Sequence, residues 1–170
     1  INLTTVPGNN RSNLSWTAYN GFVVDLYEIY ADGVLINNVP GTQLAYVDSM
    51  LSCDTAVVYQ IKALELNDNT QVSYSDTSIC TPYDIIPPAP VYTIAASVEQ
   101  PENLVKLQWA PMTEWDGDHY NIYRKIGGEG WLRIYSSKSP YETTYTDKGV
   151  NAGDTNISYK ISATDKCYKT

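Results

Sequence analysis

The chain has one histidine, one phenylalanine and three cysteines in 170 residues, and each scarcity removes a class of function. The cysteines form no Cys-x-x-Cys pair, so neither a zinc site nor a redox motif is offered. No Ser or Cys in a nucleophile motif stands beside His119, so no catalytic triad assembles and His119 reads as a strand-edge residue. Lysine and arginine are also few. The net charge is 11−19 = −8, and no basic cluster in the sequence relieves it, which makes nucleic acid and anionic membrane poor partners. No apolar run approaches the roughly 20 residues of a membrane span, so membrane insertion is not expected, and no signal peptide is visible. The chain begins at Ile1 without Met, which reads as a processed product or an excised piece of something longer. Nothing calls for a cofactor.

What the chain has instead is tyrosine. Fifteen Tyr and four Trp, with many Thr, Ser, Val and Asn, favour pleated, half-exposed surfaces over helices. Four strand-like motifs also occur twice. Leu14-Ser15-Trp16, Tyr27-Glu28-Ile29-Tyr30, Tyr46-Val47-Asp48 and Tyr59-Gln60-Ile61-Lys62-Ala63 return as Leu107-Gln108-Trp109, Tyr120-Asn121-Ile122-Tyr123, Tyr145-Thr146-Asp147 and Tyr159-Lys160-Ile161-Ser162-Ala163. The first two recur at one offset (109−16 = 93, 120−27 = 93) and the last two at nearly one other (145−46 = 99, 159−59 = 100), so the copies differ mainly by an insertion between them. This is a tandem repeat of one domain. Two copies leave about 85 residues each, enough for a small sandwich core and too few for a large enzyme fold.

In the first copy the spacing predicts strands at about 1–6, 12–19, 23–31, 34–38, 43–48, 57–65 and 71–80, broken by Pro7-Gly8-Asn9-Asn10, Ala31-Asp32-Gly33 and Asn67-Asp68-Asn69. Period-2 alternation turns Leu14, Trp16, Tyr27, Ile29, Tyr59, Ile61 and Ala63 inward. Leu107, Trp109, Tyr120, Ile122, Tyr159, Ile161 and Ala163 are their counterparts in the second copy. Two facing sheets would bury each set.

A Trp on the second strand, Tyr-x-Ile-Tyr on the third and Tyr-x-Ile-x-Ala on the sixth resemble fibronectin type III domains, over essentially the whole chain. The resemblance implies an all-β fold of two tandem immunoglobulin-like sandwiches: residues 1–83, a Pro-rich linker at 84–90, and residues 91–170. It places Tyr59 and Tyr159 at the tyrosine corner near the start of strand F, with a core-packing role and one hydroxyl hydrogen bond. Pro87-Pro88-Ala89-Pro90 favours an extended, semi-rigid connection, so a rod of two domains is expected. The second copy has only 170−159 = 11 residues after Tyr159, against 80−59 = 21 from Tyr59 to Cys80. It is therefore expected to lack a complete strand G, supplied by sequence past Thr170 or by another chain.

In a type III domain strand F starts, and strand G ends, at the same pole, which implies a disulfide between Cys53 and Cys80. It would close a loop of 80−53 = 27 residues and stabilise by roughly 3 kcal/mol in an oxidising, extracellular or cell-surface setting. Cys167 is left as a free thiol, a partner for a cysteine beyond Thr170, or a competitor for Cys80. The finer motifs, including Tyr-x-Ile-Tyr-Arg and Tyr-x-Ile-x-Ala-x-Asp-x-Cys, resemble repeat arrays of Bacteroidota proteins exported by type IX secretion. That resemblance implies O-glycosylation at Ser49 or Thr55, which follow Asp48 and Asp54.

Asp116-Gly117-Asp118 with Glu114 lacks the spaced ligands of a calcium loop and reads as a solvated turn, so no metal site is expected. Around the Gly127-Gly128 turn, alternation directs Tyr123, Trp131, Arg133 and Tyr135 outward. This aromatic and basic strip can stack on sugars or anchor a protein, or can simply be cross-strand pairing on a solvent-facing sheet. The first functional expectation is a non-enzymatic, adhesin-like spacer segment of a long secreted or surface bacterial protein, whose partners are neighbouring repeats of the same chain and a protein or glycan ligand. The second is an accessory glycan-binding module of a secreted polysaccharide-degrading enzyme.

Overall fold

The computed structural model describes residues 1–66, 70–99, 104–150 and 156–167, and all regular structure among them is β. Among the described residues no helix is long and apolar enough to cross a membrane. The chain divides into two compact units, Ile1–Ile85 and Ile86–Thr170.

In the first unit, β1 (Leu3–Gly8), β2 (Arg11–Trp16) and β5 (Ala45–Ser49) form one antiparallel sheet. The second sheet runs β4 (Val34–Pro40), β3 (Val24–Ala31), β6 (Val57–Glu65) and β7 (Val72–Tyr74), with β8 (Ser78–Cys80) also paired to β6. The expected strand at 71–80 is thus two short strands. They part at the buried Ser75, whose Oγ accepts from the Ile61 amide and donates to the Asp76 carbonyl, replacing ladder bonds with side-chain ones. Asp32 (φ 50°) and Gly33 (φ 78°) make the tight hairpin turn between β3 and β4, a conformation glycine adopts without strain. The break expected at Asn67-Asp68-Asn69 lies outside the described residues.

The second unit repeats the plan. One sheet is β13 (Thr144–Asp147), β10 (Leu104–Trp109) and β9 (Thr93–Glu99), and the other is β12 (Leu132–Ser136), β11 (Gly117–Ile126) and β14 (Ile157–Asp165). Between the sheets of each unit a Trp meets a Tyr edge-on, Trp16 with Tyr27 at 5.5 Å and Trp109 with Tyr120 at 5.4 Å between centroids. Each of these tyrosines uses its hydroxyl to accept a backbone amide, from Tyr19 and Met112 respectively. The units are all-β sandwiches, as the alternation required.

The copies differ at their last strands. β6 is flanked by β3 on one side and by β7 and β8 on the other, and Tyr59 and Ile61 are fully buried. Among the described residues β14 pairs only with β11, and Tyr159 and Ile161 are half-buried. β9 is exposed along its whole length, whereas Thr5 of β1 reaches β8 through a hydroxyl–hydroxyl bond to Ser78. Among the described residues no strand lies between β9 and β14.

In both units a hydroxyl ties the sheets together. Tyr59 on β6 donates to Asp48 on β5 at 2.8 Å, and Tyr159 on β14 donates to Asp147 on β13 at 2.9 Å. Asp147 also accepts two bonds from Arg124 Nη1 (3.0 and 2.9 Å) and one from the Gly149 amide. Burial, with a carboxylate alongside, pushes both tyrosine hydroxyls well above the usual tyrosine range.

The cysteines depart from the expected pairing. Cys80 is a free thiol, whereas Cys53 and Cys167 are disulfide-bonded. The reason lies in the register. Cys80 stands opposite the inward-facing Val57 and is 2% exposed in the core, which turns its thiol away from the turn that carries Cys53.

Three measurements check this description. Tyr59→Phe is expected to destabilise the first unit by about 2 kcal/mol, because Asp48 loses a bond to a charged acceptor, and Tyr159→Phe by about half as much, because Asp147 keeps Arg124. Urea unfolding of the two variants gives the order, and equal losses would contradict it. Folding raises both hydroxyl pKa values, so their contribution is complete below about pH 10, the unfolded value, and is lost as pH rises further. Hydrogen exchange should be faster over residues 157–165 than over 57–65, since among the described residues β14 is paired along one edge only. Alkylation under denaturing, non-reducing conditions should label Cys80 alone, and a labelled Cys53 or Cys167 would be incompatible with the disulfide assignment.

Candidate functional site

The outer face of the β12–β11–β14 sheet carries the chemistry that the rest of the chain lacks. Tyr123 on β11 lies opposite Arg133 on one side and Lys160 on the other. The Lys160 ammonium sits over two rings, 4.7 Å from the Tyr123 centroid and 5.7 Å from that of Trp131, which is 46% exposed. Lys125 points the same way two residues along β11, opposite Ser158. Among the described residues, none of Lys125, Arg133 and Lys160 has an ion-pair partner.

Tyr135 is not on this strip. A bulge between Ile122 and Tyr123 pairs Ile122 with Tyr135 but Tyr123 with Arg133, so the residues two apart on β12 fall on opposite faces. Tyr135 packs against the core and stacks on Tyr145 at 4.6 Å. Its hydroxyl donates to Glu142; that bond, with burial, raises the tyrosine from its usual range, and the same bond together with the Lys138 amide lowers the glutamate. Strict alternation missed this because a bulge leaves no periodic trace. The alternation equally gave no sign of Lys160, which lies on a strand whose other outward residues are uncharged.

Beyond Tyr123 the face becomes a string of hydrogen bonds. Asn121, 6% exposed, accepts from Ser136 Oγ at 2.6 Å and donates to Thr164 Oγ1 at 3.2 Å and to His119 Nε2 at 3.3 Å. His119 Nδ1 meets Asp118 Oδ2 at 2.8 Å. Ser162, opposite Asn121, has a buried hydroxyl oxygen with no partner among the described residues. Asp118 and His119 match the first two members of a catalytic triad, but the third position is an amide and no nucleophile stands there.

Asp118 also lines a cleft of about 480 Å³ with Glu114, Trp115, Lys138, Tyr141 and Lys166 among its other walls. The Lys166 ammonium is 5.8 Å from the Trp115 ring centre. Trp115 and Tyr141 went unnoticed in the sequence because both stand in loops, where alternation assigns no face. The acidic run considered for calcium is engaged locally, with Glu114 accepting from the Ala89 and Thr113 amides and Asp118 on His119. In the first unit Ser49 and Thr55 are both exposed, and Asp48 is held by Tyr59. That bond gives Asp48 and its counterpart Asp147 a structural reason to recur whatever residue follows them.

No family model matches the chain. Among curated proteins it is similar to exoglucanase B of Cellulomonas fimi, 29% identical over 168 residues, which is 92% of this chain and 14% of that protein. It is also similar to an alpha-amylase of Niallia circulans, 37% identical over 79 residues, 46% of this chain and 6% of that one. The chain thus spans a small fraction of the curated relatives it matches. Among solved structures, the two-domain fibronectin type III segment of chicken tenascin superposes with a TM-score of 0.54 at 13% identity, covering 96% of this chain and 90% of that one. The sandwiches, their strand order and this neighbour give the chain the fold of tandem fibronectin type III domains.

Proposed function

We propose that this chain is a non-catalytic accessory segment of an extracellular polysaccharide-degrading protein and that it holds glycan on the outer face of its second unit. The observation that carries the reading is the similarity over nearly the whole chain to part of an exoglucanase, joined by a second match to an amylase. Both relatives are named for cleaving glucans, and in each the matched stretch is a minor part of a much longer protein. The face offers what sugar recognition needs: ring surface for stacking at the exposed Trp131 and the half-buried Tyr123, and an exposed hydroxyl at Ser136. The disulfide-bonded Cys53 and Cys167 suit an oxidising compartment. The adhesin-like reading has less behind it, because a 13% likeness to a tenascin segment speaks to fold alone.

Electrophoresis of the 170-residue chain through gels carrying different soluble polysaccharides tests the reading. Retardation by at least one polysaccharide is expected, weakened by Trp131→Ala, with no release of reducing ends. Unchanged mobility throughout a panel of neutral and acidic polysaccharides would overturn it.

A further inference from the structure

Resting on that reading of the face, we infer that its ligand class is an acidic, carboxylate-bearing polysaccharide, which runs along β11 and β14 from Trp131 to Trp115. The internal repeat supplies a control. In the first unit the row across the corresponding strands reads Leu35, Tyr30, Gln60, and the next row reads Asn38, Glu28, Lys62. Glu28 there is bound to Lys62 at 2.8 Å and accepts the Tyr30 hydroxyl at 2.8 Å, so that face neutralises its own charge. In the second unit the same rows read Arg133, Tyr123, Lys160 and Ser136, Asn121, Ser162. No carboxylate stands in these rows, two cations flank the recurring ring, and among the described residues the buried Ser162 hydroxyl has no partner.

The charge is not a general property of the chain. Residues 1–85 carry 2 basic and 9 acidic side chains (2−9 = −7), and residues 86–170 carry 9 and 10 (9−10 = −1). Against that background Lys125, Arg133 and Lys160 form a local positive field on an acidic protein, which favours an anion over a neutral chain. Lys160 already lies over both rings of the strip, so a neutral sugar must displace an ammonium to stack. A uronate lets the ammonium remain as counter-ion while the ring meets the indole. Lys166 over Trp115 repeats the cation-and-ring station at the other end, six residues on, about 20 Å at strand rise. Between the stations Asn121 and Thr164 are buried and bonded to each other, so the exposed Ser136 is the hydroxyl there that a sugar can meet. An acidic protein segment would use the cations but would leave both indoles idle.

The 170-residue chain is run through gels carrying polygalacturonate, alginate, hydroxyethylcellulose, soluble starch or poly-glutamate. Retardation by a uronate polymer is expected, falling as salt is added, with little by the neutral glucans or poly-glutamate. Lys160→Gln and Lys166→Gln should each weaken uronate binding severalfold. Both are surface changes, and an unaltered near-ultraviolet circular dichroism spectrum confirms folding. Retardation by neutral glucans that is insensitive to Lys160→Gln would overturn the acidic class while leaving the glycan-binding proposal intact. Retardation by poly-glutamate as strong as by uronates would overturn it in favour of an acidic protein partner. No retardation by any polysaccharide would overturn both.

Discussion

The hydrogen bond from Tyr59 to Asp48, repeated as Tyr159 to Asp147, is the polar link common to both units that fixes one sheet on the other. Hydrophobic burial brings the sheets together but is non-directional and tolerates sliding. A hydroxyl held at 2.8 Å from a carboxylate does not. It sets where β5 and β13 stand relative to β6 and β14, and so which residues of the β3–β6 and β11–β14 pairs face the core. The outward residues of the candidate face, Tyr123 and Lys160, are outward because their neighbours Ile122 and Tyr159 are held inward. In the second unit Arg124 joins the same carboxylate from β11, so three strands converge on Asp147.

Most of the fold was legible because it is written twice. Strand period alone reads Trp16 and Tyr27 as inward, and the recurrence of the pair as Trp109 and Tyr120 turns a pattern into an architecture. The tyrosine-corner resemblance anticipated the hydroxyl hydrogen bonds of Tyr59 and Tyr159. What escaped was whatever depends on register. The Ile122/Tyr123 bulge reversed the face of Tyr135, and the inward register of Cys80 removed it from the pairing expected with Cys53. Strand order places two residues at the same pole of adjacent strands. It does not aim their side chains.

The candidate site was half legible for a related reason. Tyr123, Trp131 and Arg133 lie near one hairpin, so local alternation finds them. Lys160 is 160−123 = 37 residues from Tyr123 and reaches it only through the β11–β14 ladder, and Asn121 meets Thr164 across 43 residues. The sequence showed no basic cluster because the cations are dispersed along the chain and gather only when three strands align.

Energetics explain why the two copies diverge where they do. The Lys62–Glu28 pair on the first unit's outer face is partly exposed, and such pairs contribute about 0.2–1 kcal/mol. A bond to a charged acceptor like that of Tyr59 on Asp48 contributes about 1.5–3 kcal/mol. Losing the surface pair therefore costs a copy little, whereas losing the inter-sheet bond takes a sizeable part of a small domain's margin. The second unit keeps the inter-sheet bond and reinforces it with Arg124, while its outer face has exchanged Glu28 and Lys62 for Asn121 and Ser162 and gained Arg133 and Lys160. The pair absent from the second unit is thus one that contributes little to folding. The charge thereby left unmatched is available to something outside the chain.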